Sequence, residues 1–365
     1  MPYLFLLIIL SVCLVIFITL KKIHVKTSSM AAVMSLGIMI QGVLLNYFGK
    51  PFFLSVFGKL LSIINLALWL AFILSFFMVY AGGKFKELHY SDRINRFGIG
   101  TWIAGTSIST ILIYKQFNHL SFIPQIITYV DIGMWVVYMC FCLYTFIEIF
   151  RTKLFSKVHG ILLLTTVSTQ SIVLVSNTVF DTFPSQLNIL FLIIGFCFYF
   201  IGILFILYRY CKNSWSIEFD WNNTNCILHG ALSISGIACI ITDLVNDNII
   251  ECLWLSALII FLFVESIEIY RLIKRIQKYG LKRGLFIYDV TQWARIFTFA
   301  MFYTFTSSIK THLEVIVFLK KEIVHFGIWF VISLLFIELL LCLSFNIRTY
   351  FIKDNRNENE VTSHF

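Results

Sequence analysis

Three charged side chains lie inside stretches that are otherwise apolar, and they are the residues best placed to do chemistry: Asp131, Asp289 and Arg295. An ionisable group at membrane depth is costly, and by default it is a candidate for a functional role. At about 100° per residue along a helix, Asp289 and Arg295 point to opposed faces. We therefore expect that these two side chains do not pair with each other.

Two interpretations of Arg295 remain open. It binds an anion or acts as a selectivity element, or it neutralises a carboxylate on a neighbouring helix, such as Asp131 or Asp243. Asp289 lies near the start of its apolar stretch, close to the expected cytoplasmic entrance. A free carboxylate there would hinder the passage of anions, so we expect Asp289 in a structural ion pair. Asp131 is expected at a helix–helix contact. Two further carboxylates are expected to pair with a basic helix end at helical spacing: Glu265 and Glu268, with Arg271, Lys274 or Arg275.

Hydroxyl and amide side chains are the second group of residues that could contact ions or water. The segment FGIGTWIAGTSIST, from Phe97 to Thr110, holds eight Gly, Ser and Thr residues. Such residues either line a water-filled path or let helices pack closely. The pore-lining candidates are Gln41, Thr101, Thr106, Ser109, Thr110, Thr166, Thr169, Ser233, Thr291, Arg295 and Thr298.

The sequence has no pattern typical of an enzyme. It contains no His-x-x-x-His, no Cys-x-x-Cys and no Gly-rich phosphate loop, and its nine Cys are scattered. Metal sites and disulfide frameworks need paired ligands at fixed spacing. We expect no catalytic residue, no metal and no cofactor.

The composition indicates a membrane protein. Hydrophobic residues make up 59% of the chain and charged residues 13%, against about 25% charged in a soluble domain. Apolar runs long enough to span a bilayer as helices recur at about 3–20, 30–49, 54–81, 97–114, 122–149, 158–180, 187–208, 227–245, 249–270, 284–307 and 323–346.

The net charge of +9 follows the membrane topology and does not point to nucleic acid. Basic residues are concentrated in alternate loops, most densely between Arg271 and Arg283. Cytoplasmic loops carry an excess of Lys and Arg. We expect a multi-pass protein of the plasma membrane with its N-terminus outside and its C-terminus in the cytoplasm.

The spans after the first alternate in character. The first member of each pair is rich in small and polar residues, whereas the second is mostly bulky, and the pair repeats roughly every 60 residues. Paired-helix repeats are common in membrane transport proteins. We predict an all-α membrane protein of five helical hairpins, with an inner ring of five and an outer ring of five helices around a central pore. An extra N-terminal helix and basic loop occupy 1–27, the ten-helix domain 28–347 and a cytoplasmic polar tail 348–365.

Three segments give this layout a family resemblance: RFGIGTWIAGTSI, HGALSISGIA and GLKRGLFIYDV. Over about residues 28–347 the chain resembles the voltage-dependent anion channel superfamily, which includes TehA-type tellurite-resistance/dicarboxylate transporters and plant slow-type anion channels. The resemblance implies a pore lined by odd-numbered helices, usually in a homotrimer, which passes small inorganic or organic anions across the lipid bilayer. The extra N-terminal helix departs from the family pattern.

The resemblance also implies a Phe on the ninth helix that closes the pore. That position falls near Val290, with Phe286 and Tyr288 as neighbours, so either the register differs, or another aromatic closes the path, or the path is not gated in this way. The leading interpretation is an anion channel or transporter. The alternative is a proton- or ion-coupled carrier that uses Asp289 or Asp131, and a membrane sensor or enzyme is the third possibility.

Overall fold

The fold is all-helical. The computed structural model describes residues 8–16, 25–117, 122–212, 214–218 and 220–362, without the side chains of 282–283 and 346–362. No strand occurs in these ranges. Residues 8–16 form a helical segment, and ten longer helices follow: α1 (Thr27–Leu54), α2 (Val56–Ala81), α3 (Asn95–Gln116), α4 (Phe122–Thr152), α5 (Gly160–Val179), α6 (Ser185–Lys212), α7 (Asn223–Thr242), α8 (Asp247–Gly284), α9 (Gln292–Ser308) and α10 (Glu314–Thr362).

Nine helices in the described part of the chain are long and apolar enough to cross a membrane, namely all except α9. The 17 residues of α9 give a length of about 25 Å at 1.5 Å per residue. Each of the ten later predicted spans overlaps one of these helices. Of the first predicted span, 3–20, only 8–16 can be compared, because the rest lies outside the described residues.

The largest difference from the predicted spans is at α9, which begins at Gln292 rather than near 284. α8 continues to Gly284, and the Asp289 carboxylate accepts a hydrogen bond of 3.0 Å from the backbone N–H of Thr291. A short acidic side chain that binds nearby backbone favours a turn over a helix interior. The predicted start was therefore wrong by eight residues. At the other end of the chain, the backbone of the polar tail is helical as far as Thr362.

Burial alternates along the chain. In the most apolar stretches of α1, α3, α5 and α7, between 78% and 94% of the residues are buried, whereas the values for the even-numbered helices are 17% to 56%. Residues 296–306 of α9 are all buried. The odd-numbered helices are therefore more buried than the even-numbered helices, which expose apolar side chains, and we call the two sets the inner and the outer helices for this difference in burial.

Contacts between the odd-numbered helices run in sequence and then close. α1 packs on α3, α3 on α5, α5 on α7, α7 on α9, and α9 packs back on α1. Four of the five also begin in the same way, with a short 3₁₀ turn at Thr27–Met30, Asn95–Ile99, Gly160–Leu163 and Asn223–Cys226. This recurrence matches the internal repeat that the sequence indicates.

Trp–Thr hydrogen bonds join three outer helices to the inner helix that follows each of them. The indole N–H groups of Trp69, Trp135 and Trp254 donate to the hydroxyls of Thr106, Thr169 and Thr306 over 3.1, 3.0 and 2.9 Å. A buried indole N–H needs an acceptor because hydrocarbon offers none. These bonds set the height of α2, α4 and α8 against their neighbours.

A polar cluster joins the starts of α5 and α7. The His159 ring lies 2.7 Å from the Thr224 hydroxyl, and the Gly160 N–H donates to the Asn225 side chain over 2.9 Å. Burial, and then the nearby Arg209 guanidinium, lowers the pKa of His159 from 6.5 to about 3. The ring is therefore neutral at physiological pH.

We predict that Thr306→Val destabilises the protein, because it leaves the fully buried Trp254 indole N–H without an acceptor. The loss is about 1 kcal/mol, measured as a lower melting temperature in detergent. Adding Trp254→Phe to Thr306→Val removes the unpaired donor, so the double variant is expected to lose less than the sum of the two single variants. Strict additivity would show that this hydrogen bond does not stabilise the fold.

The second prediction concerns acid stability. The unfolded chain protonates His159 below pH 6.5, whereas the folded protein resists protonation down to about pH 3, so stability falls as the pH drops through that window. His159→Gln keeps a hydrogen-bonding group beside Thr224 but removes the titration. We expect its melting temperature to decline less between pH 7 and pH 4 than that of the unmodified chain. Parallel declines would contradict this role for His159.

Candidate functional site

One small cavity is shared by all five odd-numbered helices. Side chains from α1, α3, α5, α7 and α9 line it together with the segment before α9: Ser28, Ala31, Met34, Thr101, Ile161, Leu164, Thr224, Ile227, Val290, Thr291, Ala294 and Phe297. We call it the shared cavity. Its volume of about 20 Å³ is enough for roughly one water molecule.

The lining of the shared cavity is almost entirely apolar. The Thr101 hydroxyl donates to the Gly98 carbonyl, and the Thr224 hydroxyl lies beside the His159 ring, so both hydroxyls are engaged by neighbouring groups. Met34 and Phe297 are apolar and almost fully buried. The cavity is therefore a small apolar space between the five helices.

Of the candidates that the sequence suggested, Thr101, Thr291 and Val290 line the shared cavity. The other hydroxyls on α3 do not. Thr106 binds Trp69, and Ser109 lies 3.5 Å from the amide of Asn65, both on α2. The Thr110 hydroxyl donates to the backbone carbonyl of Thr106.

Candidates on the later helices also bind neighbouring or local groups. Thr166 donates to the Gly195 carbonyl of α6, and Thr169 accepts from Trp135 of α4. Ser233 and Thr298 donate to backbone carbonyls of their own helices. These hydroxyls therefore satisfy hydrogen-bonding groups within the helix bundle.

The three gate candidates lie before α9, not on it. Phe286 is 51% exposed, and the Tyr288 ring packs against Phe345 of α10 at 5.2 Å. Val290 alone lines the shared cavity, one helical turn before Ala294. The aromatic side chain that lines the cavity is Phe297, which the sequence analysis did not select.

Arg295 points away from the shared cavity towards α8. Its Nη2 lies 3.1 Å from Glu268 Oε1, and its Nε lies 3.8 Å from Glu265 Oε2. His229 of α7 lies 3.8 Å from the other Glu265 oxygen. Arg295 thus neutralises carboxylates on a neighbouring helix, and its partners are Glu265 and Glu268, not Asp131 or Asp243.

The ion pairs continue into a hydrogen-bonded chain towards α7. Arg271 lies 3.2 Å from Glu268, the pairing predicted at helical spacing, and also donates to Asn223 over 2.8 Å. Asn223 then donates to Thr291 over 2.9 Å and lies 3.3 Å from Asp289. This polar cluster connects the rim of the shared cavity to the outer helix α8.

A second cavity of about 220 Å³ lies between α8, α9 and α10, beside the polar cluster. Arg295, Glu265 and Gln292 line it, together with Glu338 of α10. Glu338 is 6% exposed and its Oε1 has no hydrogen-bond partner. In the described part of the chain, no three His, Cys, Asp or Glu side chains are grouped closely enough to hold a metal ion.

The remaining intramembrane charge, Asp131, is fully buried between α4 and α3. Its Oδ2 accepts a hydrogen bond of 2.6 Å from Ser107. This is the helix–helix contact that the sequence predicted. Asp131 does not line the shared cavity.

Two features escaped the sequence analysis. The sequence analysis missed Phe297 because it placed the start of α9 eight residues too early. The available signal was a run of residues at three- and four-residue spacing: Val290, Ala294, Phe297 and Met301. The pairing of Arg295 with Glu265 and Glu268 was also missed. The hairpin itself was the available signal, because consecutive antiparallel spans bring the end of α8 level with the start of α9.

We predict that Arg295→Met destabilises the protein by about 3 kcal/mol, because the half-buried Glu265 and the buried Glu268 both lose a cationic partner. The measurement is the melting temperature in detergent. Lys278→Gln breaks an exposed pair with Glu218 and serves as the control, with no measurable change expected. Equal melting temperatures for the two variants would show that the Arg295 pairs do not stabilise the bundle.

Comparison with known families identifies the family of this chain. The family model described as voltage-dependent anion channel matches residues 24–345, and members of this family are membrane channels or transporters for anions. No curated protein matches the chain. The resemblance inferred from three short segments is thereby confirmed, and the chain is an integral multi-pass membrane protein that belongs to the voltage-dependent anion channel family.

Proposed function

We propose that this protein is an anion channel whose path runs between α1, α3, α5, α7 and α9, with the even-numbered helices as an outer ring. The observation that carries the proposal is the shared cavity, to which all five odd-numbered helices contribute side chains. The contrast in burial between odd- and even-numbered helices supports the same arrangement. Basic loops at the ends next to the shared cavity favour a cytoplasmic location for that side.

The neighbours of α3 define the face that it turns to the path. A Cβ at Gly105 would meet Met30 of α1, and a Cβ at Gly100 would meet Leu164 of α5. At about 100° per residue, Ala104 and Ile111 lie between these two directions. Thr106 lies on the opposite side of the helix, which agrees with its bond to Trp69.

The same reasoning selects lining residues on α5 and α9. Ser168 and Ser171 lie within about 40° of Leu164 around the α5 axis, and Leu164 lines the shared cavity. Met301 lies about 40° from Phe297 on α9. The path beyond the cavity is therefore lined by hydroxyls and apolar groups rather than by acidic side chains.

Phe297 is the residue that we propose closes the path. It lies on the face of α9 between Thr298, whose methyl group occupies the position next to Gly230 of α7, and Thr304, which packs at Gly42 of α1. Met34, Leu164 and Phe297 together make a constriction without a hydrogen-bonding group. Hydrophobic constrictions gate channels by excluding water.

The carrier alternative receives no specific support. Its coupling groups were Asp131 and Asp289, and neither lines the shared cavity. Asp131 binds Ser107, while Asp289 holds the turn before α9. A channel needs only a path and a constriction.

The next prediction concerns conduction. The purified protein is reconstituted in liposomes, and fluxes of chloride, nitrate, potassium and sodium are measured. We expect anion flux to exceed cation flux and Phe297→Ala to increase anion flux by about tenfold or more, because removing the ring leaves the constriction wide enough for water. Anion flux that depends on a proton gradient would favour the carrier.

The matched control is Phe299→Ala. Phe299 is on the same helix but packs against Phe261 of α8 at 4.9 Å, away from the path. It loses the same aromatic ring, and its flux should stay near that of the unmodified channel. An equal rise in both variants would mean loosened packing and would remove Phe297 from the proposed constriction.

A further inference from the structure

Lys115 lies at the far end of α3 from the shared cavity, and its charge is not neutralised by any described residue. It is partly buried. In the described part of the chain it takes part in no ion pair or side-chain hydrogen bond, unlike Arg295. An unpaired cation at the end of an inner helix is functionally suggestive, because ionisable groups within spanning helices usually pair with one another or with backbone carbonyls.

Lys115 lies on the face of α3 that points to the proposed path. Gly100 marks the direction of α5 around the α3 axis. Measured from Gly100 at about 100° per residue, Gly105, which faces α1, lies at about 140°, and Lys115 lies at about 60° in the same sense. It therefore lies between the directions of the two neighbouring helices and closer to α1, because Ile108, about 20° away, packs at Gly37 of α1. A Lys at the lipid-facing side of a helix end would reach the membrane interface instead.

Gln41 lies at the same depth on the adjacent helix α1. It is 13 residues after Ser28, and Lys115 is 14 residues after Thr101. Ser28 and Thr101 both line the shared cavity, so at 1.5 Å per residue each of the two side chains is about 20 Å beyond these two residues. α1 packs on α3, so Gln41 and Lys115 are on neighbouring walls at one level.

The Gln41 side chain is buried and incompletely bonded. It is 8% exposed, and its Oε1 has no hydrogen-bond partner. It belongs to a π-helical turn, Met39–Leu44, a feature that is frequent at functional sites. A buried amide with free hydrogen-bonding capacity suits a ligand, because burial without a partner is unfavourable.

We propose that Lys115 and Gln41 form a binding site for a small monovalent anion, such as chloride or nitrate, in the far half of the path. The ammonium supplies charge and up to three donors, and the amide NH₂ supplies two more. These replace part of the hydration shell as an anion leaves bulk water. The inference rests on the proposed function, and it assigns to that path the step of anion capture.

The location also explains what this site adds to an uncharged constriction. Phe297 and its neighbours carry no charge and do not distinguish anions from cations of similar size. A fixed positive charge in a narrow mouth raises the local concentration of anions and repels cations. Capture at Lys115 and closure at Phe297 are then separate functions, about 10 Å apart along the path, because Thr304, seven residues after Phe297, packs at Gly42 beside Gln41.

The test measures chloride flux against chloride concentration in liposomes at constant ionic strength. We expect Lys115→Gln to raise the half-saturating concentration about tenfold, Lys115→Arg to retain the original value, and Gln41→Leu to shift it in the same direction as Lys115→Gln. Lys59→Gln is the matched control. Lys59 is on the outer helix α2, so the same loss of charge should leave the concentration dependence unchanged.

A second measurement keeps the test independent of absolute activity. The ratio of chloride to potassium permeability is expected to fall in Lys115→Gln and to fall further in Lys115→Glu. Unchanged half-saturation and selectivity in a Lys115→Gln protein that melts like the original would overturn this site while leaving the channel intact. Absence of anion flux in the unmodified protein would overturn the proposed function itself.

Discussion

A polar group inside the bilayer must find its partner within the protein, because hydrocarbon neither donates nor accepts hydrogen bonds. Most of the interior follows from this constraint. Hydroxyls on the inner helices bind Trp indoles of the outer helices, as in the pair of Trp254 and Thr306, or the carbonyls of their own turns. The bonds between layers fix the outer helices in height, and small residues such as Gly37 and Gly236 let side chains of adjacent inner helices approach closely.

The same constraint explains the arrangement of charge. Arg295 is the only cation on α9, and it pairs with two carboxylates of α8. A guanidinium in this position anchors α9 to the outer helix and leaves the lining of the shared cavity uncharged. The polar cluster therefore holds α9, the helix that carries Phe297, in position without placing a charge in the shared cavity.

The two ends of the inner helices differ in how their polar groups are used. At the starts, Thr224 and Asn225 tie α7 to α5, and Asn223 ties it to the segment before α9, so the polar groups there are largely engaged with one another. Towards the far ends, Gln116 ties α3 to α1 and Asn46 ties α1 to α9. Gln41 Oε1 and Lys115 differ from these groups, because neither has a hydrogen-bond partner among the described residues.

The sequence by itself determined the membrane class, the positions of ten helices and the family, because hydropathy over about 20 residues reports directly on what can lie in lipid. It also showed that small, polar spans alternate with bulky ones. Tertiary structure alone decided which polar residue on each helix meets which neighbour. Thr106 and Lys115 share one helix, and their roles diverge by rotation about its axis. That rotation depends on packing against α1, α2, α4 and α5, whose contacts are distant in sequence. For the same reason, the partners of Arg295 and the position of Phe297 emerged only from the folded bundle.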